Sequence, residues 1–555
     1  MVIKMKTTFI RALAVLILAA TIAVSLVSCK PEEKAEEAVA LDISGYTIIK
    51  PDVTSKDITE TISNFKKLLL SYTGAELKVS SDWYNPSQTL DESGYEILIG
   101  NTNRTLSAEA AKELEAAEDE NSFIIKVTDN KIAILGKNDD ITRRALKYFL
   151  LNYAKVAESD SKTVKLQSGH SEIKAADTDA IMFNNFTEFE VEMRSAVTEP
   201  PSKWYIGLYE YPTMIRLAHN GENNGTLLAS LESYDEGYRI LKSTDDGTTW
   251  EKIASVRDTL NKGYATTWMP LLYELPVDMG NYKAGTIILA ATSRDRADAD
   301  FGTSTITLHA STDLGKSWNT ICNVDKAGGL SWGVWEPFLI YDEETKRLYC
   351  FYSDDSDPAH SQKLVYKYTT DLKNWSELKE CVACDDPELR PGMISIAKMN
   401  NGEYAMTFEM VGIDNNPVYL KKTKDLDDWG PVSDYGTQVK ASNGVAFGSS
   451  PWCAWTPAGG ECGTLVVVGC HPIPWEETDE GAVMLLSFDY GKTYIAIDNP
   501  IPYEIYSDSR CGYSPHLSFS EDGSTLYYMN NPMFGVKHSC EYIELAKIKI
   551  TGIDD

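Results

Sequence analysis

The sequence predicts a mainly β protein, a six-bladed β-propeller over residues 177–555 that follows a small α/β domain. At 555 residues the chain is too long for one ordinary domain. Strands and helices alternate from about residue 45 to residue 176, and after that short strands alternate with turns rich in Gly, Asp and Asn. A short motif recurs through this second part at intervals that suit one four-stranded sheet each.

Residues 1–28 are predicted to be a bacterial lipoprotein signal peptide. Basic residues, Lys4, Lys6 and Arg11, precede the apolar run ALAVLILAATIAVSLVSC. A membrane span is the alternative, because the run is almost long enough to cross a bilayer. The ending LVSC resembles a bacterial lipobox, in which Cys29 is lipidated and becomes the new N-terminus. Residues 29–44 would then be a tether that holds the protein on the outer face of the cell membrane, with secretion as the alternative.

Residues 45–176 are predicted to form the α/β domain. The segments YTIIK, YEILIG, SFIIKV and KIAILG suit short strands, and two segments have helical spacing of apolar residues. The first of these helices ends at Gly74, which suits a helix C-terminus. The segment EILIGNTNR resembles the accessory domain that precedes the catalytic domain in several glycoside hydrolases. The domain has no glycine-rich phosphate loop and no cluster of His, Cys or carboxylates, so its sequence assigns it no function.

The recurring motif has the pattern S-x-D-x-G-x-[ST]-[WY]. Its Asp can accept backbone N–H groups in a tight hairpin, its Gly supplies positive φ, and its aromatic residue can pack between neighbouring sheets. The central aspartates lie 68, 58, 54 and 64 residues apart. There are three full copies and two shortened ones: STDDGTTW (Ser243–Trp250), STDLGKSW (Ser311–Trp318), TTDLKNW (Thr369–Trp375), TKDLDDW (Thr423–Trp429) and SFDYGKTY (Ser487–Tyr494).

These copies resemble the aspartate box of sialidase-like β-propellers. Five copies with their flanking strands fit six blades. We interpret the boxes as structural hairpins at the blade periphery and assign them no catalytic role.

Composition excludes some classes of function. A formal charge of −30 argues against nucleic-acid binding, because little of the surface could neutralise phosphates. Apart from Cys29, nine of the ten cysteines remain, an odd number that leaves at least one thiol unpaired within the chain. Cys381 and Cys384 have the spacing of half a zinc site, but no second CxxC follows. We therefore predict no structural zinc, and we also expect no other metal, no cofactor and a monomer.

Two glutamates stand out inside apolar, strand-like segments. They are Glu336 in SWGVWEPFLIYDEE and Glu409 in GEYAMTFEMVG. A buried, unpaired carboxylate costs several kcal/mol or gives up its charge. Each glutamate precedes an aspartate box, so we expect equivalent positions in successive blades and a shared location at one mouth of the channel. The alternative is a strand-edge carboxylate paired with Arg or Lys, whereas two carboxylates facing one pocket suit glycoside hydrolysis.

Longer segments strengthen this reading. WGVWEPFL, RPGMISIAKMNNGEYAMTFE and YPTMIRLAHNGENNGTLLA resemble the exo-α-1,5-L-arabinanases of glycoside hydrolase family 93, over about residues 180–550. That resemblance implies a six-bladed, sialidase-type propeller that releases arabinobiose from arabinan chain ends with retention of configuration. It further implies that Glu336 is the general acid/base and Glu409 the nucleophile.

Three arginines support an alternative activity. Arg216, Arg390 and Arg510 each precede or enter a strand, and sialidases clamp the carboxylate of sialic acid with an arginine triad. In that reading Tyr513 would be the nucleophile. In the arabinanase reading Arg390 or Tyr513 would instead help Glu409 to stay ionised. The arginines could equally be buried pairs that join blades.

Aromatic side chains are candidates for stacking on sugar rings, namely Trp332, Trp335, Trp452 and Trp455, although most propeller tryptophans pack between blades. His219 could bind a sugar hydroxyl or be a turn residue without a role. A third alternative belongs to another class of function, a non-catalytic propeller that binds surface glycans. It would be favoured if Glu336 and Glu409 lay far apart, or if each were held in a structural ion pair.

Overall fold

The computed structural model describes residues 40–198, 210–232, 237–261, 264–295, 304–327, 333–473, 483–503, 512–532 and 542–554. The chain divides into two compact units, Met1–Ala176 and Asp177–Asp555. Among the described residues, no helix has both the length and the apolar character needed to span a bilayer.

The first unit is an α/β domain. Its described part, from residue 40 onward, contains eight strands and three α-helices, and a π-helical turn, Leu150–Ala154, continues the last helix. In chain order the elements are β1 (Leu41–Asp42), β2 (Thr47–Lys50), α1 (Lys56–Thr73), β3 (Lys78–Ser81), β4 (Glu96–Ile99), α2 (Thr105–Glu115), β5 (Ser122–Val127), β6 (Lys131–Gly136), α3 (Asp139–Phe149), β7 (Thr163–Val164) and β8 (Ser171–Ala175).

Six of these strands form one sheet in the order β3-β2-β4-β6-β5-β8, and β1 pairs with β7. The Ser55 hydroxyl caps the start of α1, and Gly74 ends it with a φ of 73°, which confirms the predicted helix end. Glu96 and Arg104, the first and last residues of EILIGNTNR, form a buried ion pair at 2.9 Å. The distinctive residues of this segment are thus structural.

The second unit is a six-bladed propeller of antiparallel sheets, as predicted. A 3₁₀ turn, Gly221–Asn223, follows its third strand. The strands are β9 (Ile181–Met182), β10 (Glu188–Ala196), β11 (Glu210–Arg216), β12 (Leu227–Glu232), β13 (Tyr238–Ser243), β14 (Glu251–Val256), β15 (Tyr264–Glu274), β16 (Ile287–Asp295), β17 (Ser304–Ser311), β18 (Asn319–Ala327), β19 (Val334–Asp342), β20 (Arg347–Asp354), β21 (Lys363–Thr369), β22 (Lys379–Ala383), β23 (Arg390–Lys398), β24 (Tyr404–Val411), β25 (Val418–Thr423), β26 (Thr437–Gln438), β27 (Ala446–Gly448), β28 (Trp452–Thr456), β29 (Thr464–Val468), β30 (His471–Ile473), β31 (Val483–Ser487), β32 (Ile495–Asp498), β33 (His516–Phe519), β34 (Thr525–Asn530) and β35 (Glu544–Thr551).

Blades one to four are the sheets β11–β14, β15–β18, β19–β22 and β23–β26. Blade five is β28-β29-β31-β32, and β27 pairs with β30 beside it. Blade six combines the last three strands with two early ones, in the order β33-β34-β35-β10-β9. Glu188 pairs with Thr551 and Ala196 with Glu544, so the start of the unit closes the ring against its end.

The five box segments lie on the hairpins between the third and fourth strands of their blades, and we call them the box hairpins. In the first, Asp245 accepts the Thr249 N–H at 2.9 Å and the Thr249 hydroxyl at 2.6 Å. Trp250 packs against the apolar cluster shared by blades six and one. These contacts join neighbouring sheets and give the box hairpins a structural role.

Candidate active site

A ring of strained backbone surrounds the channel at one end of the innermost strands. A residue with positive φ lies in, or two residues before, the first strand of every blade. Such conformations cost of order 1–3 kcal/mol each and often accompany functional sites. The six residues and their φ angles are Tyr211 (49°), Met269 (54°), Glu336 (60°), Met393 (59°), Ser450 (47°) and Ser514 (57°).

All six residues or their immediate neighbours line one cavity, which we call the mouth pocket. It holds about 410 Å³ of empty space, including the part that is open to solvent. A second cavity lies further along the channel, and Trp452 lines both. The mouth pocket is lined by Tyr211, Pro212, Met269, Pro270, Leu271, Glu336, Pro337, Met393, Ile394, Pro451, Trp452 and Ser514.

Glu336 lies at the bulge of β19, where the pairing with β20 shifts between Trp335 and Phe338. Its Oε2 accepts a hydrogen bond from the Ser353 hydroxyl at 2.8 Å and one from the Met393 N–H of the next blade at 3.0 Å. Burial raises the pKa of Glu336 to about 7, and the charge of Glu409 adds to the rise. This carboxyl can therefore hold a proton near neutral pH.

Glu409 lies in β24, the second strand of blade four. Its Oε2 accepts hydrogen bonds from the Ser449 hydroxyl at 2.7 Å and from the Ser450 N–H at 2.8 Å. Burial raises the pKa of Glu409, while these two donors and the charge of Arg390 oppose the rise. The two donors favour the ionised form of this carboxylate.

The two glutamates meet at one short piece of backbone. Glu336 accepts the N–H of Met393, and Gly392 pairs with Glu409 across the β23–β24 ladder. A Cβ built on Gly392 would lie only 3.4 Å from Glu409 Oε1. After burial, the charge of Glu409 is the next cause of the raised pKa of Glu336, so the two carboxyls interact.

Arg390 supplies positive charge to this group. It lowers the pKa of Glu336, of Glu409 and of a third carboxyl, Asp355, against the effect of burial on each. Asp355 also accepts hydrogen bonds from the Gly333 N–H and, at 3.2 Å, from the Trp335 indole N–H. One guanidinium thus faces three carboxyl groups.

Aromatic rings flank the carboxyls. Trp335 stacks on Trp268 with ring centroids 5.7 Å apart, and Arg294 lies over the other ring at 5.7 Å. Tyr513, a predicted site residue, accepts a hydrogen bond at 3.4 Å from Tyr211, which lines the mouth pocket. Burial raises the pKa of Tyr211, and Tyr513 and Glu336 add to the rise, so these groups are neighbours.

The structure places several predicted site residues differently from the sequence expectation. Glu336 and Glu409 do not hold equivalent positions, since one lies on a first strand and the other on a second strand. Arg216 ends β11, five residues beyond the bulge at Tyr211, and contacts Tyr527 of blade six. At about 3.3 Å per residue, it lies well away from the mouth pocket. It joins blades, which is the alternative considered above.

His219 and Trp455 are also absent from the lining of the mouth pocket. His219 is exposed in the turn after β11, where its backbone N–H donates to Glu274 at 3.0 Å. Trp455 lines the second cavity, and its indole N–H donates to the Cys462 carbonyl at 3.1 Å. Neither residue is brought to the glutamates.

Three predicted residues, Cys29, Trp332 and Arg510, lie outside the described residues. Cys381 and Cys384 are buried free cysteines. In the part of the chain that the structure describes, no group of three or more His, Cys, Asp or Glu is arranged to hold a metal ion.

Sequence reasoning missed Tyr211, Asp355 and the serine pair Ser449–Ser450. A signal for the mouth was nevertheless present, because five of the six positive-φ residues directly precede a proline. Proline has no N–H to contribute to a strand ladder and is accommodated at bulges. These dipeptides mark the positive-φ position in or just before the innermost strand of five of the six blades.

A six-bladed propeller with two interacting carboxyls at its channel mouth has the architecture and the chemical groups of a glycoside hydrolase. Solved structures of such enzymes are similar to this chain. An α-L-arabinanase from Penicillium chrysogenum, in complex with arabinobiose, is 27% identical, with a TM-score of 0.54, over 66% of this chain and 99% of that one. The GH93 α-L-arabinofuranosidase of Fusarium graminearum, also in complex with arabinobiose, is 28% identical, with a TM-score of 0.54, over 64% of this chain and 97% of that one.

No protein-family model matches the chain, and no curated protein sequence does. The structural likeness supports a glycoside hydrolase with a carbohydrate substrate.

Proposed function

We propose that this protein is a retaining, exo-acting glycoside hydrolase whose substrate is α-1,5-linked arabinan. The observation that carries the proposal is the pair Glu336 and Glu409, whose carboxyls approach the same bulge, Gly392–Met393, from two blades. Hydrolysis with retention needs two such carboxyls, one protonated and one ionised.

The proposed roles follow from protonation. Glu409 attacks the anomeric carbon as a carboxylate while the glycosidic C–O bond breaks, and Glu336 gives its proton to the departing oxygen. In the second step Glu336 takes a proton from water, the water oxygen attacks the anomeric carbon, and the ester to Glu409 breaks. The raised pKa of Glu336, about 7, suits the first role.

The substrate assignment rests on the two similar enzymes, both solved with arabinobiose. The charges of the site agree with a neutral sugar. Arg390 faces Glu336, Glu409 and Asp355, so its positive charge is already balanced by carboxyl groups. That arrangement favours arabinan over an acidic sugar.

Product analysis on linear arabinan tests the proposal, with wild-type protein beside the Glu336→Ala and Glu409→Ala variants. We expect one short oligosaccharide from the wild type and none from either variant. Azide should rescue both variants, giving a product of retained configuration with Glu336→Ala and of inverted configuration with Glu409→Ala. The opposite stereochemistry would exchange the two roles.

If the wild type releases nothing from arabinan, that substrate is wrong. A sialoside and a panel of other glycans then separate another glycosidase from a protein that only binds glycans. Sialic acid release would establish the sialidase alternative. Binding without any cleavage would contradict an enzyme.

The proposed location is the outer face of the bacterial cell membrane, through lipidation of Cys29. The support is the LVSC ending of the apolar N-terminal run. Labelled palmitate should enter the wild type and not the Cys29→Ser variant. Equal labelling of the two, or none in either, would contradict the anchor.

A further inference from the structure

A buried glutamine, Gln362, lies against the Arg390 side of the bulge. It immediately precedes β21, and 5% of its surface is exposed. Its Nε2 donates to the Pro391 carbonyl at 2.7 Å, and its Oε1 accepts from Arg390 Nη2 at 2.6 Å. The side chain therefore bridges the guanidinium of Arg390 to the backbone of the next residue.

Only one orientation of the amide satisfies both partners. A guanidinium can only donate hydrogen bonds, and a carbonyl can only accept them. Glutamine offers one acceptor and one donor, whereas glutamate would offer two acceptors and methionine neither. Among side chains of this length, the amide thus matches both neighbours of Gln362.

The residue beside this amide, Gly392, is a glycine and has no side chain. A Cβ on Gly392 would lie 2.9 Å from Gln362 Nε2 and 3.4 Å from Glu409 Oε1. Glycine therefore lets the amide and the carboxylate approach the same residue closely. Because φ of Gly392 is not positive, close approach rather than backbone conformation explains this glycine.

The position of the guanidinium matters for the charges of the site. Arg390 opposes the rise in pKa that burial imposes on Glu336 and Glu409. A long, flexible arginine side chain loses this effect when it turns toward solvent. Among the described residues, other titratable groups that interact with this cluster include Asp354, Asp355, Tyr211, Tyr513 and Glu232.

We infer that Gln362 is a positioning residue, which holds the Arg390 guanidinium in place and so keeps its positive charge beside Glu336 and Glu409. This inference rests on the proposed function. It assigns Gln362 no contact with substrate.

The first test is the pH profile of kcat/KM for Gln362→Met, which keeps the length of the side chain and removes both hydrogen bonds. Both limbs of the profile should move to higher pH, since both glutamates lose a neighbouring cation. We expect kcat/KM to fall about tenfold on the acidic limb and less than threefold at the optimum. A uniform loss at every pH would overturn the inference.

Asn499→Leu is the matched control. Asn499 is also 5% exposed, and its amide bonds Tyr528 at 2.7 Å and the Ile501 N–H at 2.9 Å, away from the mouth pocket. It should lose stability like Gln362→Met but keep the wild-type pH profile. An equal shift in both variants would mean that lost stability, not Arg390, moves the profile.

A substrate-free measurement separates this inference from the proposed function. In protein with ¹³C-labelled glutamate carboxyls, the signals of Glu336 and Glu409 can be identified from the Glu336→Gln and Glu409→Gln variants. Both titrations should move to higher pH in Gln362→Met. If the wild type cleaves no glycan but the titrations move, the proposed function fails and the effect of Gln362 on the pair stands. If they do not move, the inference is wrong.

Two further variants guard against misfolding of Gln362→Met. Gln362→Glu should shift the titrations in the same direction, because its carboxylate opposes the Pro391 carbonyl and cancels the Arg390 charge. Gly392→Ala should do so by displacing the amide. Unshifted titrations in both variants would overturn the inference.

Discussion

Carboxyl groups at the mouth pocket and in the box hairpins show opposite behaviour. Burial raises the pKa of Glu336 to about 7. In the box hairpins, hydrogen bonds from Thr249 lower the pKa of Asp245 to about 2, and hydrogen bonds from Asn374 lower that of Asp371 to about 2. An exposed carboxylate with several donors is fixed in its ionised form, whereas an enclosed carboxyl can exchange a proton.

The same comparison separates reactivity from stability. Box aspartates organise local turns and contribute most when ionised. Burial makes ionisation of the mouth glutamates unfavourable, and interactions elsewhere in the fold must offset this cost. Such perturbed carboxyl groups are typical of catalytic sites.

The largest expected difference is in activity. Glu409→Gln should lower kcat by about 10⁴-fold or more, because it removes the proposed nucleophile. Asp489→Asn, in the last box hairpin, should change kcat less than twofold. Initial rates on arabinan measure both. A large loss of activity in the box variant, with its folding intact, would break the comparison.

The next effect is on stability. The folded pKa of Glu336, about 7, exceeds the ordinary value of 4.5. Its contribution is therefore fully present below pH 4.5 and is lost as pH rises to 7. The Glu336→Gln variant has no such ionisation. Its free energy of unfolding should exceed that of the wild type by at most about 3 kcal/mol at pH 8, with little difference at pH 4. Urea unfolding at both pH values measures this, and an equal difference at each would contradict the raised pKa.

A box aspartate should show the reverse pH dependence. Burial alone would raise the pKa of Asp489, but hydrogen bonds from Thr493 and Ser487 lower it. Its stabilisation is present above pH 3.8 and is lost as pH falls through the lowered value. Asp489→Ala should cost about 1–2 kcal/mol at pH 7. This deficit should shrink at pH 2 in urea unfolding, and a deficit that grows with acid would refute the assignment.

The smallest effect sharpens the boundary of the site. Tyr211→Phe removes a hydroxyl whose hydrogen bond to Tyr513, at 3.4 Å, is long. The ring and the bulge remain, so kcat/KM should fall less than threefold. A loss of a hundredfold or more would place the Tyr211 hydroxyl in the chemistry.

The sequence predicts the box hairpins and the pair of glutamates for different reasons. Many hydrogen bonds that shape the box hairpins join residues close in sequence, such as Ser243 to Gly247 and Asp245 to Thr249, so a short pattern contains them. Glu336 was found because a charged residue interrupts an apolar strand.

Contacts between blades are what the sequence did not reveal. Ser450 donates to Glu409 from 41 positions away, and Met393 donates to Glu336 from 57. Arg216 was assigned to a strand correctly but to the wrong end of it, because the bulge at Tyr211 sets where the mouth begins. How far a side chain lies from the channel mouth depends on such bulges, and the pattern of charged residues in the sequence does not reveal where the bulges are.

Ring closure through blade six has a consequence for synthesis of the protein. Strand β10 can pair with β35 only after that strand, about 350 residues later in the chain, has been synthesised. Because Tyr211 and Ser514 lie on blades one and six, we expect the pocket that they line to be complete only after this pairing has formed. Closing so long a loop is costly in entropy. We therefore expect pairing of the final strand to be a late step that closes the ring, and deletion of this strand to leave the ring open.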